Sequence, residues 1–423
     1  MLVRDVRLID GVGDAVRPRQ DVVVEGERIT AVEAHDPLRS LGEGTLVVDG
    51  AGRTLLPGLI DAHAHYTFDP SEGSLQAIAR RADAEIVLAA AGHAARALRA
   101  GITTARGAGS IRNLECALRD AIAAGHVPGP RIVAAGTAVG AAGGHGSAFG
   151  LEALGPDAFA AATRQVVEGG ADVVKVVSSE AAMLTTTGLA PGAMVHGAPE
   201  LVEAELRAVV ETASELERRV MSHAQDSESV RRSVAAGVTS VEHAWLADEA
   251  AIEALAGSGA WMVPTLVVTD VNRTLPGLTP VQRERQDLIE RRHRISTQTA
   301  IRLGVPLATG TDTGEVGVTA DMVWREIALL HNHGATTIDA IKAATSSGAR
   351  LLGVEADTGS IEVGKLADLV LIGGDPLVDL SVLAMPIAVW QRGRLVSASA
   401  DPIRQAPVPA SGRSPRSRIG RSS

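Results

Sequence analysis

The sequence predicts an α/β protein, a (β/α)8 TIM barrel carrying a small β-sandwich formed by both chain ends. Three observations lead there. Eight short apolar runs alternate with helical patterns across the middle of the chain, the texture of a parallel sheet with crossover helices. Runs rich in β-branched residues, broken by Gly and Asp turns, occupy the first and last parts. No Gly-x-Gly-x-x-Gly turn follows the first apolar run of the middle, which disfavours a doubly wound open sheet.

In order along the chain, "VRLIDG", "DVVVEGERITAV" and "GTLVVDGAGRTLLPG" read as strands of the first 57 residues. The same texture returns in "GSIEVGKLADLVLIGGD" and "PIAVWQRGRLVSA", so residues 1–57 and 358–403 are expected to form one small sandwich. Residues 58–357 are assigned to the barrel. Its strands are "GLIDAHAH", "GITTARGAG", "RIVAAGTAV", "ADVVKVVSS", "RVMSHAQ", "SVEHAW", "WMVPTL" and "PLATGTD". Segments such as "PELVEAELRAVVETASELE" and "SESVRRSVAAG" supply helices between them. Residues 404–423 combine five Arg with Pro, Ser and Gly and no acid, the composition of a disordered tail.

Composition narrows the function classes. Hydrophobic residues make up 45% of the 423 and aromatics only 2%, so the core must rest on Ala, Val, Leu and Ile. The net charge of −10 argues against nucleic-acid and anionic-membrane partners. With Cys116 as the only cysteine, neither an intramolecular disulfide nor a thiolate zinc cluster can form. Charges at Arg4, Asp5 and Arg7 interrupt any secretory core, and no apolar run reaches the ~20 residues that span a bilayer. A soluble cytoplasmic protein is the expectation, and the composition identifies no substrate.

In a parallel barrel the functional groups gather where strands end. Those ends carry His63 and His65, then Arg106, His145 in "GGHG", Lys175, His223, His243 and Asp312. His63 and His65, two apart on a strand, share one face, and two neutral imidazoles so placed can chelate a divalent ion. Lys175, between Val173, Val174, Val176 and Val177, needs a partner or a depressed pKa if buried. Its chemical alternative is carbamylation by CO2, which makes an anionic ligand long enough to bridge two metals. Taken singly, each residue also suits a surface, capping or core role. Six suitable residues at one end of strands one, four, five, six and eight are harder to ascribe to coincidence.

That set resembles the amidohydrolase superfamily, and more narrowly its imidazolonepropionase-like, Xaa-Pro dipeptidase-like branch. "LLPGLIDAHAH", "GGHG" and "GSIEVGKLADLVLI" support the likeness, which covers about residues 1 to 400. The resemblance implies two divalent ions, zinc above all, bridged by carbamylated Lys175 and a hydroxide. It implies His63, His65 and Asp312 on the more buried ion and His223 and His243 on the more exposed one. His145 would contact the substrate or its oxyanion, and Asp312 would carry the proton to the leaving nitrogen. The implied reaction is hydrolysis of a C–N amide bond by a homo-oligomeric enzyme. A dipeptide or N-acyl amino acid is the first substrate class. A cyclic amide, carbamate, urea or aryl amide, N-acyl aromatic toxins included, is the alternative.

Two departures bear on the substrate. Where relatives are expected to read "TTVRDxG" this chain has Gly107, and where a Tyr or His is expected to hold a substrate carboxylate it has Gln225. Tyr66, Arg106, His196, Gln225 and Arg273 are the candidate substrate contacts. A catalytically dead relative is disfavoured by the complete ligand set, and a mononuclear deaminase by Lys175 and by the lack of an acid after His223.

Overall fold

The computed structural model describes residues 1–42, 44–71, 75–180, 198–398 and 403–405. The predicted tail from residue 406 onward lies outside them. Eighteen strands are described: β1 (Leu2–Leu8), β2 (Arg17–Glu25), β3 (Arg28–Ala34), β4 (Leu46–Asp49), β5 (Arg53–Pro57), β6 (Leu59–Ala64), β7 (Ile102–Gly107), β8 (Arg131–Val133), β9 (Ala138–Ala141), β10 (Gly150–Ala153), β11 (Val173–Val177), β12 (Arg219–Asp226), β13 (Ser240–Leu246), β14 (Trp261–Val263), β15 (Leu369–Gly373), β16 (Ala388–Gln391), β17 (Arg394–Ala398) and β18 (Ile403–Gln405).

The two chain ends meet in one nine-stranded sheet. Its path runs β17-β16-β15-β5-β1-β2-β3, with β4 bridging β1 and β18. Register shifts in β1 let its first half pair with β4 and its second half with β5, so the sheet forks there. Val3, Val6, Leu8, Val22, Ile29, Leu55, Leu369, Leu371 and Trp390 fill its core. Arg404 and Gln405, expected in the tail, instead pair with Val47 and Leu46. The free edge of β4 has backbone donors and acceptors to satisfy, and these residues supply them.

The middle of the chain forms the barrel staves. β6, β7 and β8 pair in parallel; β11, β12, β13 and β14 pair in parallel. Strand three is interrupted, with β8 and β9 as its two halves: the Ala134 carbonyl accepts from Asp172 N while β9 pairs with β11. The eighth apolar run is not a regular strand, yet it closes the ring. Met262 N donates to Pro306 O, Ala62 N to Thr309 O, Asp312 N to His63 O and His65 N to Thr313 O, at 2.8–2.9 Å. It must lie flat between its neighbours, and Gly310 permits that: a Cβ there would stand 2.4 Å from Val263 Cγ1 and 2.6 Å from His63 Cβ.

Outward-facing Val174, Val176, Val220, Val241 and Met262 pack against Leu206, Val209, Ile252 and Leu255 of the covering helices. The predicted helices form at Glu203–Glu215 and Ser227–Ala236. Asp226 caps the second by accepting from Glu228 N and Ser229 N, and Gly237 ends it at φ 92°. No helix among the described residues is long and apolar enough to cross a membrane.

Candidate metal centre

Alternation along β6 turns Asp61 and His63 to the same face, and His65 follows just past the strand's end. On β11 it turns Lys175 inward while Val174 and Val176 face the helices. Parallel pairing sets Val177 beside His223, and Ala224 beside His243. The eighth run then brings Asp312 against the first strand. The result is one buried cluster. His63 Nε2 and His65 Nε2 each stand 3.3 Å from Asp312 Oδ1, and His243 Nδ1 stands 3.9 Å from Asp312 Oδ2. Ring centroids of His63 and His243 lie 4.9 Å apart, those of His243 and His223 4.4 Å, and those of His223 and His145 4.9 Å.

Three of the histidines have one ring nitrogen tied to the protein. His63 Nδ1 donates to Glu242 Oε2 at 2.7 Å, and His65 Nδ1 donates to Gly109 O at 2.8 Å. His243 Nδ1 bonds Thr265 Oγ1 at 2.9 Å. Because a carboxylate and a carbonyl can only accept, Nδ1 carries a proton in both rings, and Nε2 is the atom that His63 and His65 turn to the cluster. Among the described residues His63 Nε2 and His223 Nε2 are buried with no hydrogen-bond partner, a costly state for a polar atom unless something binds it. Ligand atoms of His63, His243 and Asp312 lie within 4.8 Å of one another, a group able to hold a metal ion.

The electrostatics suit a cation. Burial holds the His65, His223 and His243 imidazoles below the usual histidine range, and His145 at about 4, so all four are neutral near pH 7. Burial would raise the Asp312 carboxyl, but His63 and His65 hold it well below the usual carboxylate range. Burial lowers the Lys175 amine to about 8. Among the described residues no side chain hydrogen-bonds or ion-pairs with it. Backbone strain gathers here too: His243, Ala244, Thr265 and Asp312 have φ of 75°, 50°, 57° and 58°, left-handed values that non-glycine residues adopt only when their surroundings impose them.

The sequence signature of the Amidohydrolase family matches residues 54–396. This chain belongs to that family. It is therefore an amidohydrolase, a hydrolase acting on carbon–nitrogen bonds, in a family that generally uses metal ions. Ochratoxinase of Aspergillus niger is 29% identical to it over 374 residues, covering 81% of this chain and 75% of that one. A Xaa-Pro dipeptidase crystallised with methionine in its active site is 29% identical, with a TM-score of 0.82 over 93% of this chain and 98% of that one. A prolidase complexed with N-methylphosphonate-L-proline is 26% identical, with a TM-score of 0.81 over 94% and 99%.

In this amidohydrolase the seven residues His63, His65, His145, Lys175, His223, His243 and Asp312 come together at one end of the barrel. The expected substrate contacts fare differently. Arg106 is 3% exposed and spent inside the barrel, donating to Ala62 O, Ser240 Oγ and both Glu242 oxygens at 2.7–3.0 Å. Its place is therefore beneath the site, as a support. Arg273 is engaged by Asp287 at 2.9 Å and lies 3.8 Å from Glu290; no described contact joins it to the histidines. Tyr66 is buried, its hydroxyl without a hydrogen-bond partner, and it lines a cavity of about 70 Å3 with His65 and Thr313. The Gln225 backbone N–H donates to Ser179 Oγ at the end of β12. His196 lies outside the described residues.

Residue-by-residue reading of the sequence misses Glu242, Asp61, Thr265 and Glu115. Glu242 receives Arg106, Ser240 Oγ and His63; burial would raise its carboxyl, yet Arg106 and His63 hold it at about 2. Asp61 accepts from Thr311 N and Thr311 Oγ1 at 3.0 and 2.6 Å, tying the first strand to the eighth. An acid inside an apolar strand is itself a signal, as in "SVEHAW", because burying a charge demands a partner.

Proposed function

We propose that this amidohydrolase cleaves the amide bond of a dipeptide or N-acyl amino acid at a binuclear centre. The observation that carries the reading is the buried cluster of imidazoles, two with an Nε2 to which no described residue hydrogen-bonds, gathered around an ionised Asp312. The donor set of nitrogen and oxygen fits zinc. In this reading His63, His65 and Asp312 hold one ion, His223 and His243 the other, and Lys175 is carbamylated to bridge them. The burial-lowered Lys175 amine, with which no described side chain pairs, supports that chemistry, because only a neutral amine attacks CO2. When bound, such ions lower the pKa of a shared water and polarise the scissile carbonyl.

The chain's own residues then divide the work. Glu242 and the Gly109 carbonyl fix the tautomers of His63 and His65. Asp312, kept ionised, accepts the proton of the attacking water and returns it to the departing nitrogen, which needs one as the C–N bond breaks. His145, kept neutral by burial, donates an N–H to the developing oxyanion. The ochratoxinase and dipeptidase relatives support the substrate class.

A second reading, a cyclic amide, carbamate, urea or aryl amide, is favoured by one observation. Arg106 and Arg273 are both engaged by acids of the protein, and Gln225 is neutral, so among the described residues no expected carboxylate anchor is in place. Metal analysis with a screen of dipeptides, N-acyl amino acids, lactams, carbamates, ureas and aryl amides separates the two. The expected result is two equivalents of zinc and turnover of the first two classes. Protein that binds no metal sinks the whole reading. Lys175→Ala is expected to lose metal and activity, with partial recovery in a short carboxylic acid; a variant keeping both would remove the bridge.

A further inference from the structure

Thr265 follows β14 as the first residue after Pro264, and its backbone is left-handed, with φ 57° and ψ 47°. A β-branched residue in that region is an outlier with a steric cost. Its side chain is fully buried, so solvent exposure does not explain it. The conformation places Oγ1 2.9 Å from His243 Nδ1 and 3.3 Å from Trp245 Nε1. Trp245 also donates to Pro264 O at 3.2 Å, and its ring meets those of His243 and His293 at 5.4 and 5.7 Å. The indole N–H has no other role than donor. It therefore spends one lone pair of the Thr265 oxygen and fixes where that oxygen sits.

We infer that Thr265 is a positioning residue: its strained backbone presents a hydroxyl oxygen that accepts the His243 Nδ1 proton, leaving the Nε2 lone pair free for a metal ion. Trp245 braces the same oxygen from the other side. The partners of the other two rings are of a different kind, a carboxylate for His63 and a backbone carbonyl for His65. Unlike the Glu242 carboxylate, the Thr265 hydroxyl brings no charge to its ring. The steric cost of the left-handed turn is offset only if the ring's orientation matters, since a valine of the same shape would fill this space without the bond.

The inference rests on the metal reading above, and the test separates the two. Apo protein is titrated with zinc against a competing chelator, for the wild type, Thr265→Val and Thr265→Ser. Thr265→Val keeps the shape and loses the acceptor; zinc affinity is expected to fall on the order of ten- to hundred-fold, as for other partners of metal-bound histidines. Thr265→Ser keeps the oxygen and is expected to stay near wild type. Wild type that binds no zinc defeats the metal reading. Wild type that binds zinc with Thr265→Val binding equally, or with Thr265→Ser falling as far as Thr265→Val, overturns the role given to Thr265. Should Thr265→Val not fold, nitrogen-15 spectra of histidine-labelled wild type decide: zinc-loaded His243 is expected to carry its proton on Nδ1, and a proton on Nε2 overturns the inference.

Discussion

Glu242 shows what a single residue must do when a histidine is to serve a cation. Its carboxylate, fully buried, accepts from Arg106, from Ser240 Oγ and from His63 Nδ1. The bonds neutralise its charge, keep Arg106 paired, and hold the His63 ring so that Nε2 points at Asp312. Glu242→Gln keeps the shape and removes the charge. Arg106 is then left without its counterion, and breaking a buried pair from one side costs about 3–5 kcal/mol. Urea unfolding is expected to show a loss of that order, and zinc competition a weaker site. A variant with wild-type stability and affinity would contradict this account of the Arg106–Glu242–His63 chain. The pair His63 and His65 was legible because strand alternation alone puts them on one face. Glu242 was not, because its partners arrive from β6 and β7, far away in sequence.

At the scale of elements, the end of β7 and the helix Leu114–Ala123 fit as one unit. A Cβ on Gly107 would stand 1.8 Å from Glu115 Oε1 and 2.0 Å from its Cδ. The acid missing from strand two is thus answered by one reaching in from the next helix. Glu115 Oε2 accepts from Ala135 N and Gly136 N at 3.1 and 3.3 Å, pinning the break in strand three. Gly107→Ala is expected to destabilise by about 1–3 kcal/mol, the range for overpacking, and Gly107→Ala with Glu115→Ala to recover part of it; equal losses in both would refute the fit. Burial raises the Glu115 carboxyl to about 8. Its folded value lies above its unfolded one, so its contribution is fully present below about 4.5 and is lost as pH rises to about 8. Glu115→Gln should therefore lose less stability than the wild type between pH 5 and pH 8 in urea titrations. An identical loss in both proteins would remove Glu115 from the pH dependence. Sequence reading flagged Gly107 as a departure, but only the helix position shows what fills the space.

At the scale of the whole molecule, the site is also a clasp. His63 and His65 stand on the first barrel strand and Asp312 in the run that closes the ring, which forms irregular bridges instead of a regular strand. A ligand that binds only the folded cluster stabilises it by mass action, about 4 kcal/mol at a thousand times its Kd. Chelation is accordingly expected to lower the melting temperature by several degrees and zinc to restore it. A melting curve indifferent to chelator and zinc would mean that no metal links the two strands. The nine-stranded sheet that joins the chain ends packs its own aliphatic core around Trp390.

From the sequence by itself came the expectation of an α/β fold, of strands at both chain ends, and of the seven residues that the structure gathers in one cluster. Those follow from local rules: period-two alternation, strand–helix order, and the cost of burying an imidazole or an amine without a task. Only the tertiary structure decided that Arg106 supports His63 from below, that Arg273 belongs to Asp287, that Glu115 fills the space beside Gly107, and that Thr265 faces His243. Each of these is a contact between residues distant along the chain. Such contacts depend on how strands register and close, and no local pattern encodes that.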